Sequence, residues 1–179
     1  MRDDAGDSSF LSLHDFREFC REWLPRGAAY CRVFRGLSDQ DREDAVGEAV
    51  ARAWAARESY DPSRPFAPWF LTILRRTALD ELARPGRGRT ISEFVDAVPS
   101  RIAGAEDSAV RDSEAAFVRR FVESLGERDR ELASLVYGQG LCVSEAAQIA
   151  GVPVGTAKWR LHEIRIALRR EWEREYGGR

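Results

Sequence analysis

The stretch VSEAAQIAGVPVGTAKWRLHEIR, residues 143–165, constrains the fold more than any other part of the chain. Gly151 can supply the positive φ of a sharp turn and Pro153 can open the helix after it, so the stretch reads as two short helices meeting across a glycine. Ser144 is expected to cap the first of them. This is helix-turn-helix grammar. Small residues stand where crossing backbones are expected to come closest, Ala146 and Ala147 on the first helix and Gly155 and Ala157 on the second. On the second helix Ala157, Leu161, Ile164 and Leu168 follow an inward three-and-four spacing, which leaves Thr156, Lys158, Arg160 and His162 outward. One face can pack while the other meets a duplex. The same spacing would also describe a plain helical hairpin with a solvated charged face.

Charge favours the duplex. The formal net charge is only -2 over 179 residues, but it is unevenly spread. Residues 1–61 and 90–150 carry about -4 and -5, whereas residues 64–89 and 151–179 carry about +4 and +3. Two basic segments separated by an acidic one suit two contacts with a polyanion, and leave acidic surface for protein partners. Lys158 is the only lysine. Arginine offers a planar fork suited to phosphate and guanine.

Other classes find little support. No apolar run approaches the roughly 20 residues that cross a bilayer, and the acidic start MRDDAGDSS lacks a signal peptide's basic and apolar regions. No membrane insertion and a cytoplasmic location are expected. Cys20, Cys31 and Cys142 form no close pair, so they are expected as small buried hydrophobes. With His14 and His162 the only histidines, neither a metal site nor a cofactor is expected. There is no Gly-rich phosphate loop and no nucleophile elbow, and an enzyme is not indicated.

In chain order, an acidic tail precedes an amphipathic helix on Leu13, Phe16, Phe19, Cys20, Trp23 and Leu24, capped by Ser12 and expected to end near Pro25. A second helix is expected over residues 28–35 on Tyr30, Val33 and Phe34. Ser38 or Asp39 then caps a helix to Ala56 with the stripe Ala45, Val46, Ala49, Val50, Ala53 and Trp54, and with Asp41, Arg42, Asp44, Glu48 and Arg52 opposite. The rigid loop DPSRPF leads to a helix over residues 67–83, where aromatics interleave with Arg75, Arg76 and Arg84, and Arg87 and Arg89 follow. Planar rings with cations suit single-stranded DNA. At least two of Phe66, Trp69 and Phe70 are expected in the core. Residues 85–112 read as a linker, with a hint of structure at residues 91–98. Helices follow over residues 113–125, on Phe117, Val118, Phe121, Val122 and Leu125, and over 127–137, on Leu132, Leu135 and Val136. The last helix runs to Trp172. The expected fold is all-α, in two small helical domains.

Three segments carry a resemblance to the extracytoplasmic-function (ECF) sigma factors of the sigma-70 family. EDAVGEAVARAW, residues 43–54, is similar to that family's polymerase-docking helix; PFAPWFLTILRRTALDEL, residues 65–82, resembles its promoter-melting segment; and residues 125–165 resemble its promoter-reading helix-turn-helix domain. The three occur in the family's order. The resemblance implies a sigma domain over residues 10–86, a linker over 87–112 and a helix-turn-helix domain over 113–175. It implies promoter-specific transcription initiation with core RNA polymerase, docked on the beta-prime clamp helices and the beta flap, and an anti-sigma factor as a further partner. Polymerase contacts are then expected at Asp44, Gly47, Glu48 and Arg52, and minus-10 contacts at Arg64, Phe66, Trp69, Arg75, Arg76 and Arg84. Minus-35 contacts are expected at Thr156, Lys158, Trp159, Arg160, His162, Glu163 and Arg165. A stand-alone helix-turn-helix regulator would leave residues 65–82 without a task.

Four positions depart from the family pattern. Gly47 stands for a usual glutamine and Arg76 for an asparagine that lines the base pocket. Trp159 replaces a serine and Glu163 an arginine on the recognition helix. A carboxylate there repels phosphate but can accept a hydrogen bond from cytosine.

Overall fold

A proline at position 25 should stop a helix, yet the first helix, α1, runs unbroken over Leu13–Cys31 in the computed structural model of the chain, whose described residues are 13–84 and 105–177. Pro25 removes one backbone hydrogen bond and strains the turn before it, a cost of about 3 kcal/mol. Burial on both sides of it opposes that cost. Trp23, Gly27, Tyr30 and Cys31 are all buried, and a Cβ on Gly27 would lie 3.1 Å from Leu74 Cδ2. The second helix expected over residues 28–35 is therefore the end of α1. Val33 and Phe34 follow it in turns, their N–H groups donating to Tyr30 O at 3.0 Å and Cys31 O at 3.1 Å. The Ser12 cap lies outside the described residues.

Helix α2 spans Asp39–Ala55. Ser38 caps it: its hydroxyl accepts from Asp41 N at 3.2 Å, and the Asp41 carboxylate accepts from Ser38 N at 3.1 Å. Ala45, Val46, Ala49 and Ala53 bury its apolar stripe against α1 and α3, while Val50 and Trp54 are half-buried at the rim. Helix α3 spans Phe66–Ala83 and buries Phe70, Leu71, Leu74, Thr77, Ala78 and Glu81. The Phe70 ring meets Phe19 at 5.0 Å and Trp23 at 5.9 Å between centroids, which makes an aromatic centre for the three-helix packing.

Helix α4, Ala105–Ser124, begins inside the stretch read as linker. Helix α5, Glu127–Ala133, is shorter than expected, because the backbone widens over Ser134–Gly138 and Gln139 N donates to Ser134 O at 2.9 Å. Gly140, at φ 74°, then turns the chain into α6, Val143–Ala150. Gly151, at φ 68°, ends α6 in the left-handed conformation, as expected of the turn glycine. Its cap differs from expectation. The residue before the helix is Cys142, whose N–H donates to Glu145 Oε2 at 2.9 Å, so Ser144 lies inside the first turn.

Helix α7 spans Val154–Tyr176. Ala146, Ala147 and Ala157 are fully buried where α6 and α7 cross. Gly155 is not part of that crossing, for no atom lies within 4 Å of where its Cβ would be. Leu161 and Ile164 are buried and Leu168 half-buried. The helix outlasts the expected end because its last turns cover α4: Phe117 meets Trp172 at 5.2 Å and Tyr176 at 5.7 Å, and Arg120 pairs with Glu175 at 2.6 Å. Val118, expected among the apolar contacts of α4, is 43% exposed.

All regular elements among the described residues are helical, the all-α fold read from the sequence. The chain divides into two compact units, Met1–Thr90 and Ile91–Arg179. The first holds α1–α3 and the second α4–α7.

Candidate nucleic-acid and polymerase interfaces

Helix α7 is positioned by the apolar face just described, and its opposite face presents Lys158, Trp159, His162, Glu163 and Arg165 together in solvent. Thr156 is half-buried at its start. Arg160, expected outward with these, turns back. Its Nη1 donates to Asp129 Oδ1 of α5 at 2.7 Å, its side chain is 28% exposed, and its Nε is buried without a partner. Arg160 lies three residues from Ala157 and four from Ile164, beside the apolar stripe, and its bond to Asp129 fixes its direction. Arg169 was missed. It continues the series Lys158, His162, Arg165 by the same four-and-three step, is exposed, and like those three carries no ion pair among the described residues.

A second surface lies where the loop before α3 meets that helix. Asp61 holds the loop by accepting from Ser63 N at 3.0 Å and Ser63 Oγ at 2.7 Å, and these bonds keep its carboxyl below the usual range. Tyr60 Oη donates to Arg64 O at 2.5 Å, and burial pushes its hydroxyl pKa up, helped by the Asp61 charge. The Tyr60 ring meets Phe66 at 4.9 Å and Trp69 at 5.2 Å, and Phe66 meets Trp69 at 5.1 Å. All three rings are half-buried, so each keeps part of its surface in solvent. Of Phe66, Trp69 and Phe70 only Phe70 is a core residue, which corrects the expectation of at least two.

Arginines stand in the loop before α3, along that helix and at its end. Arg64, Arg76 and Arg84 are exposed and Arg75 is half-buried. Arg64 Nε lies 3.3 Å from Asp61 Oδ2, and Arg84 Nη1 lies 2.9 Å from Oε2 of the buried Glu81. Arg57 stacks on Trp54 at 4.6 Å. Tyr60 was the omission here: a ring just before a proline-rich loop gives no periodic signal, and its role depends on the loop folding back. Arg87 and Arg89, and residues 91–98, lie outside the described residues.

The outer face of α2 exposes Asp44, Gly47, Glu48 and Arg52. Gln40 Nε2 donates to Asp44 Oδ1 at 3.0 Å. Arg52 is bound within the unit: Nη1 donates to Asp80 Oδ2 at 3.0 Å and Thr77 Oγ1 at 3.3 Å, and Nε to Glu48 Oε1 at 2.9 Å. Its bonds to Asp80 and then Glu48 raise its pKa. Arg52 thus ties α2 to α3 and anchors Glu48. The space around the missing Gly47 Cβ is empty within 4 Å.

Only one cysteine fits the buried reading. Cys31 is buried and its thiol is pushed up to about 12 by desolvation, against the opposing charge of Arg42. Cys20 is half-buried and Cys142 is exposed before α6. No three His, Cys, Asp or Glu side chains among the described residues group as a metal site, and no helix there is long and apolar enough to cross a membrane.

One unit thus exposes cations and an indole along α7, and the other leaves three rings partly in solvent before and on α3. Residues 19–88 match the family model described as Sigma-70 region 2. The chain is 31% identical over 146 residues to the ECF RNA polymerase sigma-E factor of Escherichia coli (strain K12), covering 76% of each chain. It is 26% identical over 156 residues to the ECF RNA polymerase sigma factor SigW of Bacillus subtilis (strain 168), covering 79% of this chain and 81% of that one. The chain belongs to the ECF sigma factors of the sigma-70 family, proteins of transcription initiation. Its fold is shared with the sigma factor RpoE in its co-crystal with the anti-sigma factor NepR from Bartonella quintana, at a TM-score of 0.68 and 22% identity over 88% of this chain and 96% of that one. It is also shared with CnrH in complex with the cytosolic domain of CnrY, at 0.61 and 21% over 92% of each chain.

Proposed function

We propose that this chain gives core RNA polymerase its promoter specificity by gripping one promoter in two forms. Helix α7 reads the minus-35 element as closed duplex, with Lys158, Trp159, His162, Glu163 and Arg165 toward the groove and Thr156 at its start. The rings of Tyr60, Phe66 and Trp69, with Arg64, Arg75, Arg76 and Arg84, hold the unpaired nontemplate strand of the minus-10 element. Lifting a base from the stack costs a few kcal/mol, which ring stacking and phosphate contacts offset. The observation that carries this reading is the aromatic trio: three rings in contact that keep part of their surface in solvent, beside Arg64, suit an opened strand, and a stand-alone duplex binder has no use for them.

The acidic face of α2, with Asp44 and Glu48 foremost, docks on a basic surface of polymerase, the beta-prime clamp helices, and the C-terminal unit engages the beta flap. Residues 10–86 and 113–175 serve as the two working domains around the linker 87–112, with α4 extending back to Ala105. The protein is non-catalytic and works in the cytoplasm. An anti-sigma factor is its natural restraint, a reading supported by solved relatives captured with NepR and CnrY.

Docking is tested by co-elution with core polymerase. Asp44→Arg combined with Glu48→Arg is expected to abolish co-elution while the helical circular dichroism is unchanged. Retention of polymerase by that variant would contradict the docking face.

A further inference from the structure

Phosphate binding explains the cations of α7 but not Trp159. It is 61% exposed, more than any other large apolar residue among the described residues. Gly155, one turn earlier, places nothing beside it, and Val154 at the start of the helix is itself 41% exposed. The indole therefore stands exposed in the second turn of α7, near the end that reaches base edges in a helix-turn-helix.

The neighbouring stripe of Lys158, His162, Arg165 and Arg169 extends about 16 Å along the helix and carries no ion pair among the described residues. A partner that meets both must be a polyanion with an apolar group at a fixed depth. In the major groove that group is the C5-methyl of thymine. Glu163, one turn beyond Trp159, is exposed and also without an ion pair among the described residues. A carboxylate facing base edges can accept from the amino group of cytosine.

We infer that Trp159 is a base-reading residue whose indole covers a thymine methyl, and that Glu163 accepts from a cytosine amino group nearby. Four residues of helix advance about 6 Å and a base pair about 3.4 Å, so the two positions lie about two base pairs apart. The inference rests on the reading of α7 as the duplex-binding helix.

The test uses the full chain assembled with core polymerase. A duplex is selected from a randomised pool, and each thymine of its upstream element is replaced in turn by uracil, which removes only the methyl. One replacement is expected to weaken binding about three- to fivefold, the factor that burying one methyl supplies. Trp159→Ala should bind the thymine and uracil duplexes equally, Trp159→Phe should retain the preference, and Glu163→Gln should move the choice from cytosine toward adenine within about two base pairs of that thymine. If no uracil replacement distinguishes the wild type from Trp159→Ala while Lys158→Ala still weakens every duplex, the inference fails and the reading of α7 stands. An upstream element without thymine overturns it in the same way, as does a Trp159→Ala variant that loses a protein partner but keeps its uracil sensitivity. If Lys158→Ala and Trp159→Ala both bind as the wild type does, the duplex reading of α7 fails as well.

Discussion

Arg160 stands on α7, the helix proposed to read the duplex, but its charge is already answered by Asp129 at 2.7 Å. Both side chains are less than a third exposed, so the pair is screened less than a surface bridge and removing either partner leaves the other poorly solvated. Arg160→Ala and Asp129→Asn should each lower unfolding stability by about 1–2 kcal/mol, with less than additive loss in the double variant. Lys158→Ala should leave stability unchanged and reduce the salt slope of duplex binding by about one. Denaturant titration separates the two roles, and an Asp129→Asn variant as stable as the wild type would return Arg160 to the groove. Cys31 gives a pH signature at the same scale. Its folded-state pKa of about 12 lies above the ordinary 9.0, so its contribution to stability is complete below about pH 9 and is lost as pH rises toward 12. Cys31→Ala should flatten that alkaline fall in thermal unfolding. A thiol reagent at about pH 8 should label Cys142 and spare Cys31 in the native protein.

At the scale of elements, α2 offers the cleanest substitution. Gly47 is exposed in mid-helix with nothing within 4 Å of a Cβ, so Gly47→Gln should stabilise the N-terminal unit by about 0.5–1 kcal/mol. If α2 docks on polymerase as proposed, the substitution should also tighten that binding, since the resemblance implies a glutamine at this position; calorimetry reads both, and a destabilised variant would mean that α2 is packed there. The helices that the sequence revealed best are those whose signals are local: the cap at Ser38, the alanine stripe of α2, and the Gly151 turn. What it hid depends on contacts between elements. Pro25 sits inside α1 because Trp23, Gly27 and Tyr30 are buried around it, and α7 runs to Tyr176 because Trp172 and Tyr176 pack on Phe117. The site divided in the same way. Lys158 and His162 emerged from helical spacing and Trp159, Glu163 and Arg165 from the family resemblance, whereas Arg160 and Tyr60 were settled by Asp129 and by the loop that bonds Tyr60 to Arg64.

Across the whole molecule, two acidic and two basic segments alternate along the chain, and each unit carries a surface of its own chemistry. The C-terminal unit presents Lys158, His162, Arg165 and Arg169 along one helix, without ion pairs among the described residues, which suits a duplex whose geometry is fixed. The N-terminal unit presents rings whose faces replace stacking, which suits a strand already parted from its complement. The account therefore turns on strand opening rather than on DNA affinity. The most direct measurement is permanganate reactivity of thymines in the minus-10 region of a selected promoter, with core polymerase and the full chain present together. The account predicts reactive thymines on the nontemplate strand that disappear when either protein is left out, and that weaken sharply with Phe66→Ala and Trp69→Ala together. A promoter that is bound in full yet never becomes reactive would contradict it.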